Sequence, residues 1–116
     1  MKIPKPGTPV RGSRTGRPVM TLLDLMGRRM ALRVLWELWQ AQEPLTFRAL
    51  QLAAQTNPAL LNTRLRELRA TGLVLHDEGG YALTQDGREL AALLIPVTVW
   101  AERWAARWGD RKRRSE

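Results

Sequence analysis

Apolar residues recur at helical spacing over most of the chain, and the breaks in that spacing divide it into elements. Thr21 to Met26 predicts a short apolar helix ended by Gly27. Arg28 to Gln40 predicts an amphipathic helix, with Met30, Val34, Leu35 and Leu38 on one side and Arg29, Arg33 and Glu37 on another. Trp36 and Trp39 widen its apolar surface. Glu43-Pro44 breaks the pattern. Thr46 is a suitable N-cap for a third helix through about Ala54, with Phe47, Leu50 and Ala54 facing inward. Asn57 can cap a fourth helix that has Pro58 at its first position, where a missing N–H costs nothing. That helix carries Leu61, Leu65 and Leu68 on one stripe, and Gly72 supplies a left-handed stop.

Leu73 to His76 reads as a strand, Asp77 to Gly80 as a tight turn, and Tyr81 to Leu83 as the returning strand of a hairpin. Thr84 caps a last helix, with Asp86 in the favourable first turn. It is expected to reach about Trp108, kinked or split at Pro96. The fold class expected from this order is mainly α with a small two-stranded β-hairpin. Two helices joined by a short turn and followed at once by a hairpin make the winged helix-turn-helix arrangement.

Composition narrows the chemistry. The 116 residues suit one small domain with flexible ends. The absence of cysteine removes disulfides, thiolate catalysis, thiol redox sensing and Cys-type zinc sites, and is compatible with a reducing cytoplasm, the expected location. One histidine without clustered carboxylates argues against a metal, and no cofactor is expected. His76 reads as a strand residue beside the turn. No apolar run approaches the ~20 residues of a membrane helix, and the prolines between Ile3 and Val10 argue against a signal peptide. No nucleophile–base pair stands out, and the carboxylates are expected on solvated faces or in the turn, so an enzyme is not expected.

The net charge of +8 is concentrated at the ends. Residues 1–19 hold five basic residues and no acid, and 110–116 hold four against two, so 20–109 carries only +1. The expected organisation is a disordered basic arm over 1–18, rich in proline and glycine, a winged domain over 19–108 ending in a dimerisation helix, and a basic tail over 109–116. Such ends suit a polyanion, though they also serve as solvated termini.

At 100° per residue, Ala59, Thr63, Arg66 and Ala70 lie opposite the leucine stripe of the fourth helix, flanked by Asn62 and Arg69 on one side and by Arg64 and Leu60 on the other. The groove-facing set is Pro58, Ala59, Asn62, Thr63 and Arg66. Arg can pair bidentately with guanine and Asn with adenine, while Ala59 and Thr63 can touch a thymine methyl. Arg64 and Arg69 are expected at phosphates. Thr46 and Arg48, with Gln51, lie where the preceding helix can hold a phosphate at its N-terminus. The plainer alternative is a solvated face, with Arg66 and Arg69 pairing with Glu67.

From Thr21 to Trp104 the chain resembles HxlR-type regulators of the MarR-like winged-helix group. The specific part is the run from Leu61 to Val74 followed by Tyr81-Ala82-Leu83-Thr84-Gln85-Asp86-Gly87-Arg88-Glu89-Leu90. Leu22 to Gly27, Val34 to Leu38, Leu45 to Leu50 and Asn57 to Leu68 add to it. The resemblance implies a homodimer on a pseudo-palindromic double-stranded operator, with this helix in the major groove. Two departures stand out. The wing is short and acidic, Asp77-Glu78-Gly79-Gly80, and carboxylates beside phosphates repel. The basic arm, through Arg11, Arg14 and Arg17, is expected to replace it. The cysteine by which many such regulators sense oxidants is absent, which closes that mechanism, and the sequence does not identify an effector.

Trp100, Trp104 and Trp108 recur at i, i+4 and i+8, in line with Leu93 and Val97. The stripe is expected to form a dimer interface against Leu22, Leu25 and Met26 of the first helix. The alternatives are a cover for its own core and a ligand pocket with Trp36, Trp39 and Trp100. The competing function is a winged helix used for protein or RNA association, to which the acidic wing lends some weight.

Overall fold

A computed structural model describes residues 3–115; Met1, Lys2 and Glu116, counted above with the arm and the tail, lie outside the described residues. Five helices and one antiparallel hairpin follow in the order α1 (Pro18–Met26), α2 (Ala31–Gln40), α3 (Phe47–Ala54), α4 (Pro58–Ala70), β1 (Val74–Asp77), β2 (Gly80–Leu83) and α5 (Gln85–Ser115). Local chemistry sets most boundaries. The Thr46 hydroxyl accepts from Ala49 N–H at 3.1 Å, and Asn57 Oδ1 accepts from Leu60 N–H at 2.8 Å, with Pro58 opening α4. Thr84 Oγ1 accepts from Gly87 N–H at 3.0 Å and so caps α5.

The core lies where α2, α3 and α4 meet beneath the hairpin and the first turns of α5. Leu35, Leu50, Leu61, Leu65, Leu68 and Val34 are fully buried there. Each contributes about 1.5–3 kcal/mol by leaving water. The stripe expected on α4 is thus the one that anchors it.

Val74 pairs with Leu83 and Asp77 with Gly80, leaving Glu78-Gly79 as a two-residue loop. A third short strand was not legible in the sequence. Leu45 N–H donates to the Tyr81 carbonyl at 2.9 Å and Tyr81 N–H to the Leu45 carbonyl at 2.7 Å. This pairing ties the segment before α3 to the hairpin. Gly80 makes the close approach there, at φ +119°, with no room for a Cβ beside the Leu45 carbonyl.

The structure differs from the expectations in four places. α2 begins at Ala31 rather than Arg28, because the chain reverses over Gly27–Met30, with Met30 left-handed at φ 72°. α5 continues unbroken through Pro96 and on to Ser115. Pro96 is exposed, so water can take the carbonyl that its missing N–H leaves. Beyond Trp108 the Arg and Lys side chains favour helix and complement the dipole at its C-terminus, so the segment expected as a tail is helical as far as Ser115. Leu25 and Met26, expected at a dimer interface, are 3% and 9% exposed within their own chain.

Finally, the segment expected to be disordered is folded. Gly7 N–H donates to the Gly16 carbonyl at 3.0 Å, and Val10 and Ser13 exchange backbone hydrogen bonds at 2.8 and 3.0 Å. Gly16, at φ +70°, lies against the Thr8 backbone where a side chain would collide. Here glycine serves the turns of an ordered loop rather than marking disorder.

Candidate nucleic-acid interface

α3 and α4 are joined by Gln55, Thr56 and Asn57, with Gln55 left-handed at φ 55° as the C-cap of α3. The resulting corner presents one face of α4 outward. Pro58, Ala59, Asn62, Arg66 and Arg69 are exposed on it, and Thr63 is half-buried at its edge. The Thr63 hydroxyl donates to the Ala59 carbonyl at 3.1 Å, so its proton is already used within the helix. Arg48 is exposed on α3 beside the capping Thr46. These are the residues the sequence placed at the groove and the backbone.

Arg64 departs from its expected place at a phosphate. It is 8% exposed, and its Nε donates to the Arg29 carbonyl at 2.7 Å. Its Nη1 pairs with Glu67, whose other oxygen pairs with Arg28. Asp24 lies 4.0 Å from Arg28. Glu67, only 4% exposed, therefore clamps α4 to the Gly27–Met30 turn instead of pairing with Arg66 or Arg69, and not all carboxylates lie on solvated faces. Such a pair forms because a buried charge must be matched. Its sequence signal was the i, i+3 spacing of Arg64 and Glu67; nothing local marked Arg28.

Arg64 lies about 160° around α4 from both Asn62 and Arg66. Arg11 lines a cavity together with Arg64, behind the presented face. Arg11, Arg14 and Arg17 of the arm are all exposed. At the wing, Asp77 Oδ1 accepts from Gly79 N–H at 2.8 Å, so this carboxylate shapes the turn. The His76 ring stacks on Tyr81 with centroids 3.9 Å apart.

On α5, Trp100, Trp104 and Trp108 are 50%, 50% and 58% exposed, and Leu93 and Val97 are exposed with them. Trp100 and Trp104 stack at 6.0 Å. Their own core does not cover them. Leu22 of α1 packs at the core margin. Trp39 instead lines a cleft with Glu43, Pro44 and Arg88.

Helix, turn, helix and wing, held on this core, define a winged helix-turn-helix domain. The chain shares its fold with a solved structure described as a possible HxlR family transcriptional factor from Thermoplasma volcanium GSS1. The two are 22% identical with a TM-score of 0.68, over 77% of this chain and 85% of that one. No family model and no curated protein matches the sequence. Among the described residues no helix is long and apolar enough to cross a membrane.

Proposed function

We propose that the chain is a sequence-specific regulator of transcription that binds double-stranded DNA as a homodimer in the cytoplasm. The observation that carries this reading is the division of α4. Its leucines and the Arg64–Glu67 pair fix it to the protein, while Asn62, Arg66, Ala59 and Pro58 face out together. In this reading α4 enters the major groove, Arg66 and Asn62 read base edges, and Thr63 and Ala59 meet methyl groups. Arg69, Arg48 and the N-terminus of α3 hold phosphates, and Arg14 and Arg17 add charge nearby. The likeness to a possible transcriptional factor supports the same reading.

The functional unit is α1 to α5 with the arm folded against it. The exposed tryptophan stripe of α5 joins two copies, so that two α4 helices meet half-sites of a pseudo-palindromic operator about one helical turn apart. The test is binding to duplex DNA across a salt series, against sequences selected from a random pool. Selected sequence should bind at least 10³-fold tighter than random duplex. Arg66→Ala should cost about 1–3 kcal/mol and relax the preference at one position, whereas Arg69→Ala should weaken all sequences alike and lower the salt slope by about one. Equal affinity for every duplex would refute the regulator.

A further inference from the structure

Behind α4, on the side away from the presented face, lies a cavity of about 600 Å³. It is an open cleft lined by the chain before α1, by Gly27, Arg28 and Arg29, and by Arg64. One wall is apolar, formed by Ile3, Pro4, Pro9 and Val10, of which Pro4 is buried. The rest of the lining is mostly basic. Arg11, Arg28, Arg29 and Arg64 line it together with Asp24, and Glu67 lies just behind, an excess of two positive charges among the described residues. Arg64 uses Nε and Nη1 for the Arg29 carbonyl and Glu67; its Nη2 has no hydrogen-bond partner among the described residues. No fully buried side-chain nitrogen or oxygen lacks a partner among the described residues, so Nη2 keeps access to open space.

We propose that this cavity binds a small organic carboxylate with an apolar body. The volume suits a small molecule. Arg11 and Arg29 at the rim and Nη2 of Arg64 at the floor offer charge-assisted donors to a carboxylate, and the proline-rich wall covers the apolar part. A duplex on the presented face does not reach Arg64, which lies about 160° around the helix. Occupancy is tied to α4, because Arg64 belongs to it and is held to the Arg29 carbonyl. Any consequence for transcription rests on the DNA-binding reading; the binding itself does not.

The test is calorimetric titration of the full chain, without DNA, using benzoate as probe, with benzamide and inorganic phosphate as contrasts. Benzoate should bind saturably, one per chain, and both contrasts at least tenfold more weakly. Arg11→Gln with Arg29→Gln, both exposed, should weaken benzoate at least tenfold at unchanged melting temperature. A flat benzoate titration, equal binding of benzamide or phosphate, or wild-type binding by the double variant overturns the proposal. If that variant holds benzoate normally but loses affinity for duplex DNA, the two arginines serve the DNA backbone and the cavity assignment fails. Because DNA is absent from the titration, its failure leaves the regulator reading untouched.

Discussion

Glu67 neutralises two guanidinium groups that are themselves largely buried, one from its own helix and one 39 residues away. Removing it strands charge in a region water reaches poorly. Glu67→Ala should therefore lower stability by about 3–5 kcal/mol. A fall in the urea midpoint at unchanged slope would register it. If the midpoint does not move, Glu67 is not the clamp described. The same residue shows where reading the chain residue by residue stops. Caps such as Thr46, Asn57 and Thr84 were legible because each satisfies a backbone group within three positions. The partner of a charge is not, since an arginine has the same chemistry on a phosphate as on a buried carboxylate. Arg64 looked like a backbone contact because helical rotation placed it on a flank, and rotation alone does not say that a turn packs there.

Among the elements, the wing and α5 depend most on neighbours distant in sequence. The wing is a two-residue hairpin, and its inner strand is completed by Leu45. Gly80 permits that approach, so Gly80→Ala should push the Leu45 segment away and cost about 1–3 kcal/mol. Thermal unfolding would measure it, and amide exchange at Tyr81 should quicken in the same variant. An unchanged melting temperature would mean that the contact yields freely. The two short apolar runs on either side of the turn from Asp77 to Gly80 were enough to expect two strands, whereas one residue, Leu45, has no pattern to read. α5 shows the converse. Proline chemistry argues for a break at Pro96, but an exposed site lets the helix pass, and the exposure of Pro96 is a property of the assembled fold.

As an assembly, the described chain is unfinished along α5. The helix is about 46 Å long at 1.5 Å per residue, and residues from Leu93 onward expose valine and three tryptophans. An apolar stripe of this kind is seldom left to water. A second copy would bury it, and the melting temperature should then rise with protein concentration. Trp104→Glu should convert the species seen in sedimentation equilibrium from two chains to one, with a loss of operator affinity exceeding tenfold. Sedimentation of the wild-type chain as one chain at all concentrations would rule out this use of the stripe.

The sequence by itself determined the order of the helices, the N-terminal caps of α3, α4 and α5, the hairpin and the leucine face of α4. All of these follow from spacing along the chain and from groups that bond within a turn. Only the tertiary structure decided that residues 5–16 form a folded loop, that Leu25 and Met26 belong to the core, and that Arg64 and Glu67 face inward against Arg28. Those outcomes depend on which surfaces meet. The energy of a buried charge or a buried leucine is set by the atoms around it, and these come from parts of the chain that local pattern does not connect.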